Sequence, residues 1–399
     1  MRILFVSPRQ CCPPRSGAAL REYHLAQALG RRTELTHVFF SQDGARTPGL
    51  ADMPFCRKIV PVPAPRRYTP EKIVRGLLGR RPLPLVNYTS DAMKAALTAV
   101  MAAEPLDLVH LDSIHMAAYE PILRRGGAPM VYDWHNIESE AMWRYSANAP
   151  TPAHKFYASL TARRLLALEK EILRSAAGHV VCSERERETL LRTAPEARIA
   201  VIENGVDTGF FHETAAPRDG RYRVLFVGSM RYHANVEAAV SFVRDVWPGI
   251  RERFPGWRLT LAGSDPAPAV LALRGEAHVE VTGTVDDLRP FYGQAIAAIV
   301  PLHIGGGTRL KILEAMAAGA PVVSTPLGAE GLAVSPGTDI LIAKKDADWL
   351  PHLSALSTQG DLWDGMAGAG RRLVTARYDW ETLGQSLYET YCRWLGRSQ

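Results

Sequence analysis

Residues 301–323 concentrate the chemistry of this chain. Gly305, Gly306 and Gly307 strip the side chains from a loop, so a ligand can approach backbone there. Thr308 adds a hydroxyl, and Arg309, Leu310 and Lys311 then open a helical pattern. A helix start carries a positive dipole, which makes it a poor place for cations. Two cations beside three glycines point to an anion that completes the site, and the free N–H groups of a helix start suit a phosphate. Glu314, one turn further on, can accept hydrogen bonds from sugar hydroxyls. The bland alternative is a strand–loop–helix joint with surface charges.

A second candidate follows the apolar run at 130–132. His135 stands there between Asp133 and Glu138, at what reads as a strand end. The competing reading is a core histidine satisfied by hydrogen bonds. Asp346-Ala347-Asp348 has a spacing used by some metal sites, but it follows Lys344-Lys345 and opens a helical stretch, so capping is the better reading. No other cluster has metal-ligand spacing. Phosphate-loop, dinucleotide and nucleophile-elbow signatures are absent from the sequence.

On these residues the chain resembles the family 4 (group 1) glycosyltransferases of GT-B architecture, in the form found in bacterial polysaccharide assembly. That family places two glutamates eight positions apart, followed by Ala-Met-Ala, a Gly and Pro-Val-Val. Glu314, Ala315-Met316-Ala317, Gly319 and Pro321-Val322-Val323 match. Gly306 stands where the first glutamate is expected. The resemblance assigns that glutamate to the donor sugar and Glu314 to the ribose. It also places an Arg and then a Lys after the first strand of the second domain, both on the diphosphate. Here Ser229 follows Gly228, and Ala234-Asn235 occupy the Lys region, so Arg309 and Lys311, with Arg231, are left to supply charge. Ser229 reads equally as a small turn residue.

The resemblance further implies backbone contacts to the base at Thr284 and Val285, after Val281-Thr282-Gly283. Ser264 is a weaker candidate at another strand end, and Asn204-Gly205-Val206-Asp207 matches a hinge turn. Ser16 and Gly17 match a first-domain loop facing the donor phosphates, with a plain helix cap as the equal alternative. His135 matches the family's histidine at the donor sugar. The resemblance implies transfer with retention from a nucleotide sugar, UDP-sugar before GDP-sugar, to a sugar or lipid-linked hydroxyl. No cofactor and no metal are expected. An epimerase of the same architecture, or a silent sugar-nucleotide-binding subunit, are the alternatives.

The elements that must position these groups are legible as alternating patterns. Predominantly apolar runs at 3–7, 35–40, 106–111, 130–133, 179–182 and 200–202 are separated by helical stretches such as 18–29, 92–103 and 162–175. That pattern implies a parallel sheet covered on both faces. It restarts at 223–228, with further strands at 258–262, 279–281, 297–301 and 321–324. The fold class is therefore α/β, with two Rossmann-like doubly wound domains facing a cleft. The expected division is 1–212, a Pro/Gly-punctuated linker at 213–220, 221–378, and a final helix at 379–399 that, by resemblance, crosses back to the first domain.

Size and composition agree with two globular domains: 399 residues, 47% hydrophobic and 22% charged. No apolar run is long enough to span a bilayer, and the first one is too short for a signal peptide. Five cysteines without a CxxC pattern suit a reduced, cytoplasmic setting. A net charge of +6 favours anionic partners, but no nucleic-acid motif accompanies it. Segment 66–81 carries six basic residues around Ile73, Val74, Leu77 and Leu78. It reads either as a peripheral contact to anionic lipid at the inner face of a membrane or as a helix packed on its domain.

Overall fold

A computed structural model describes residues 1–14, 16–41, 46–212, 222–304 and 309–397. The chain divides into two compact units, Met1–Glu203 with Leu383–Gln399, and Asn204–Thr382. The expected linker at 213–220 lies outside the described residues.

In the first unit β1 (Arg2–Ser7), β2 (Glu34–Ser41), β3 (Lys58–Pro63), β4 (Leu108–Asp112), β5 (Met130–Trp134), β6 (Gly178–Val181) and β7 (Ile199–Val201) form one sheet. It has seven strands in the order β3-β2-β1-β4-β5-β6-β7, and every pairing is parallel. Central strands such as Leu108–Asp112 and Met130–Trp134 are buried throughout, as expected for strands covered on both faces. The sequence pattern missed β3. Its Lys-Ile-Val-Pro-Val-Pro has two prolines, which are tolerated because this strand lies at the sheet edge.

The second unit repeats the design with β8 (Arg223–Val227), β9 (Arg258–Ala262), β10 (Val279–Gly283), β11 (Ala295–Val300), β12 (Val322–Ser324) and β13 (Leu341–Ile342). Its six strands run in the order β10-β9-β8-β11-β12-β13, again parallel. In both sheets the order reverses beside the first strand of the unit, at β1/β4 and β8/β11. Open parallel sheets bind ligands at the C-terminal strand ends near such a reversal.

The last helix, Trp380–Trp394, belongs to the first unit from Leu383 onward. Leu383, Leu387 and Tyr391 are buried, and the Tyr391 hydroxyl lies 2.5 Å from His110 Nδ1. Gly384 permits close packing here, since a Cβ on it would fall 2.0 Å from the Cβ of Ala28.

Candidate active site

Strand ends and loops of the second unit position the first set of groups. β11 leads through Leu302 into the glycine loop, and helix Leu310–Ala317 follows. Gly305, Gly306, Gly307 and Thr308 lie outside the described residues. Arg309 is the N-cap residue, 7% exposed, and burial lowers the pKa of its guanidinium. Leu310 packs against the core, which fixes the helix on the sheet. Apolar residues at Ile312, Leu313, Ala315 and Met316 are buried, so Lys311 and Glu314 share the remaining face.

Lys311 does not point into open solvent. Its Nζ lies 2.9 Å from Asn235 Oδ1 and 4.5 Å from the centre of the Phe226 ring. Asn235 is itself anchored, since its Nδ2 donates to the Ser229 carbonyl at 2.9 Å. A Cβ on Gly228 would fall 2.8 Å from the Lys311 nitrogen and 2.7 Å from Asn235 Nδ2. The absence of a side chain at Gly228 therefore makes room for the ammonium. Desolvation, then the charge of Arg309, pull Lys311 down to about 7, with Glu314 opposing. Burial raises the pKa of Glu314, while the Tyr292 hydroxyl, donating at 3.4 Å, and Lys311 favour its ionised form.

Glycine backbone ties the neighbouring strand ends together. Gly228 N–H donates to the Ala262 carbonyl at 3.0 Å, and Gly263 N–H donates to the Gly283 carbonyl at 3.2 Å. Gly263 has φ 150°, and a Cβ there would fall 1.7 Å from the Gly228 oxygen, so only glycine fits. Ser229 and Thr284 are exposed on this rim, and Val285 is half-buried beside Thr284. The structure thus brings Gly228, Ser229, Asn235 and Lys311 into contact. Thr284 and Val285 stand on a separate loop, at the edge strand β10. Asp287 accepts from the Arg289 N–H at 2.9 Å at the start of the next short helix.

The second set lies in the first unit, at the ends of β1, β4 and β5. His135 follows β5, and its Nε2 is 3.0 Å from Asp112 Oδ1, at the end of β4. Parallel pairing sets Asp112 directly against Asp133, the strand neighbour of His135. Asp133 is locked by Arg21, which donates through Nε at 2.9 Å and Nη2 at 2.8 Å. The same Arg21 donates to the carbonyls of Ile202 and Glu203, at 2.8 and 3.1 Å.

Glu22, on helix Gly17–Gly30, completes the group and is fully buried. Arg9 Nη1 lies 3.0 Å from Glu22 Oε1. Desolvation, then the charge of Asp112, push the Glu22 carboxyl well up, against the pull of Arg9. Asp112 goes the other way: desolvation is its largest influence and raises it, but the charge and hydrogen bond of His135 lead the groups that hold it well below the usual carboxylate range. The two carboxyls are thus pushed in opposite directions, Glu22 toward its neutral form and Asp112 toward its charged form. Among the described residues, Glu22, Asp112 and His135 form one set that could hold a metal ion, with ligand atoms within 4.8 Å of one another, and His110, Asp112 and Asp133 form a second.

Gly17 is the exposed first residue of its helix, and Ser16 Oγ accepts from the Ala19 N–H at 3.2 Å as its cap. Asp348 accepts from the N–H groups of Lys344 and Lys345, at 2.9 and 3.1 Å, which is a capping role. No carboxylate beside His135 other than Asp133 and Glu138 had been legible. Asp112 and Glu22 were missed because their proximity arises from strand pairing and helix docking. The usable signals were an acidic residue ending an apolar strand and a Glu at a buried helix position. In the sequence Asn235 reads only as a missing lysine, and nothing marks Tyr292.

Two family models cover most of the chain: "Glycosyltransferase Family 4" over 15–210 and "Glycosyl transferases group 1" over 221–355. Among curated relatives, glycogen synthase of Mycobacterium tuberculosis is 29% identical over 246 residues, 58% of this chain and 57% of that protein. The match thus spans little more than half the length of that relative. The GDP-mannose:cellobiosyl-diphosphopolyprenol alpha-mannosyltransferase of Xanthomonas oryzae pv. oryzae is 23% identical over 338 residues, 80% of each chain. Among solved structures, sucrose-phosphate synthase from Thermosynechococcus elongatus has a TM-score of 0.71 at 19% identity, covering 100% of both chains. Anabaena HepE in complex with UDP has a TM-score of 0.67 at 14% identity, covering 98% of this chain and 100% of that one. These likenesses establish the fold as GT-B, and with both halves matched by the family models, the chain belongs to the family 4, group 1 glycosyltransferases.

Proposed function

We propose that this chain transfers a glycosyl group from a nucleotide-sugar donor to a hydroxyl acceptor, with retention and without a metal. The observation that carries the reading is the Lys311 ammonium, held over Gly228 by Asn235 and accompanied by Arg309. Departure of a nucleoside diphosphate builds negative charge on phosphate, and stabilising that charge is the main catalytic task. Arg309, Lys311 and the helix dipole supply positive charge at the strand ends, where a metal ion would otherwise be needed. Glu314 then takes the ribose, and Thr284 and Val285 meet the base. In this reading the backbone of Gly305, Gly306, Gly307, Thr308 and Leu310 would meet phosphate, with Ser229 of the same unit; Gly17 stays a candidate of the first unit.

His135, oriented by Asp112, acts on the sugar rather than on the nucleotide. Its Nε2 faces Asp112, so the opposite ring edge is the one left for a ligand. The leaving phosphate takes the proton of the incoming hydroxyl, which needs no protein nucleophile. UDP-sugar is the first choice of donor, supported by the UDP bound to the HepE relative in fold; GDP-mannose, named for the Xanthomonas relative, is the second. A sugar or lipid-linked acceptor in bacterial polysaccharide or glycoconjugate synthesis, at the cytoplasmic side, completes the proposal. No helix among the described residues is long and apolar enough to cross a membrane.

A melting scan with UDP, with and without EDTA, tests the donor site. A shift that survives EDTA is expected; one that vanishes overturns the metal-free reading. Incubation with UDP-sugars followed by mass analysis tests the reaction. Slow release of free sugar is expected without acceptor. An epimeric nucleotide sugar would make the chain an isomerase, for which the Glu22–Asp112–His135 group would be the acid–base set.

A further inference from the structure

Helix Pro70–Leu78 is amphipathic, yet its apolar side is left uncovered. Gly76 is its only buried residue, pressed against Leu83, where a Cβ would fall 2.7 Å from the Leu83 Cβ. Ile73 is 37% exposed, Val74 52%, Leu77 38% and Leu78 83%. An amphipathic helix normally turns its apolar stripe inward, whereas this one leaves it at the surface. Exposed aromatic residues flank the two helices: Tyr68, immediately before this helix, is 66% exposed, and Phe156, on helix Pro152–Ser175, is 70% exposed. Arg164 Nη2 donates to the Leu77 carbonyl at 2.8 Å, tying helix Pro70–Leu78 to helix Pro152–Ser175.

A cavity of about 470 Å³ adjoins the helix, lined by Arg80, Arg81, Arg124 and Arg164, by Glu120 and Glu171, and by Leu85 and Leu168, so its arginines outnumber its carboxylates. Arg124 is committed to Glu120, whose carboxylate also accepts from Tyr132 and Ser175. Arg80 and Arg81 are exposed and make no ion pair or hydrogen bond among the described residues. Positive charge without a partner thus adjoins apolar surface without a partner. Anionic phospholipid matches both at once, with a phosphate for the arginines and acyl chains for the leucines.

We propose that this cavity and helix face form a docking site for anionic phospholipid. Arg80 and Arg81 bind the headgroup phosphate while Val74, Leu77 and Leu78 enter the acyl boundary. The inference is independent of donor and acceptor, and its test needs no activity. The full chain should co-sediment with phosphatidylcholine vesicles containing phosphatidylglycerol at low salt, and release at high salt. Arg80→Gln with Arg81→Gln should weaken this binding by about fivefold per arginine. Val74→Ser with Leu78→Ser should weaken binding without changing its salt dependence. All four side chains are exposed, so melting temperature should hold in both variants, separating loss of binding from loss of fold. Wild-type protein that ignores phosphatidylglycerol vesicles at low salt overturns the proposal. So does a melting shift with inorganic phosphate unaccompanied by vesicle binding, which would mark a free-phosphate site. Self-association abolished by the Val74→Ser, Leu78→Ser variant, again without vesicle binding, would assign the face to a second copy of the chain and overturn it equally.

Discussion

The Lys311 ammonium rests 2.9 Å from the side-chain oxygen of Asn235, on helix His233–Ser241 of the second unit. A cation that begins at the glycine loop is thereby delivered to the end of β8. Asn235 lies in the region where the family places a lysine, so the charge is kept while its origin in the chain moves. This neutral partner leaves the ammonium poorly solvated and only weakly held in its charged form.

Nucleotide affinity should therefore depend on pH through Lys311. With no anion bound, Lys311 titrates at about 7. A bound diphosphate favours the charged form, so binding takes up a proton above that pH and needs none below it. UDP affinity should be level below about pH 7 and fall above it, by at most about tenfold per pH unit. Calorimetry in buffers of different ionisation enthalpy measures the proton uptake. In Lys311→Gln the slope should vanish and UDP should bind more weakly, while uridine binding stays close to that of wild type.

Glu314→Ala should weaken UDP and uridine alike, by about 1.5–3 kcal/mol, the worth of a charged hydrogen bond. The common effect follows from a ribose contact, which both ligands share. Tyr292→Phe removes the hydroxyl that donates to Glu314 and should give a smaller loss in the same direction. Equal UDP affinity in a folded Glu314→Ala variant would take this residue out of the site.

His135→Ala and Asp112→Asn should slow transfer at least tenfold, about one hydrogen bond's worth, while UDP affinity stays near wild type. Asp112→Asn acts through the histidine by weakening the 3.0 Å contact that orients its ring. A variant with an unchanged rate would return His135 to a structural role.

Glu22 yields a stability prediction. Its folded pKa is raised, so the native state holds a proton that the unfolded chain has released once pH exceeds its ordinary carboxylate value of 4.5. Burial of Glu22 therefore costs more stability as pH rises from there toward its folded pKa. Glu22→Gln keeps the shape without the titration. Its melting temperature relative to wild type should rise between pH 4.5 and neutrality. A difference that is flat with pH would mean that Glu22 is ionised in the native state.

Local order carried most of the fold and part of the site. Continuous apolar runs such as Ile3–Val6 and Ala297–Val300 can only be buried on both faces, and that requires a parallel sheet with helical crossovers. Three glycines followed by Arg309, Lys311 and Glu314 point to the proposed anion site because those residues are close in sequence, and such neighbours stay near one another whatever the rest of the chain does. The edge strand Lys58–Pro63 escaped because its prolines conflict with the usual strand pattern, and only its place at the sheet margin makes them harmless. Docking alone decided that Lys311 would meet Asn235, that Asp112 would stand against His135, and that Glu22 would be pushed toward its neutral form. The reason is physical: protonation depends on desolvation and on charges a few ångströms away. Those neighbours come from segments far apart in the chain, so their meeting belongs to the tertiary structure.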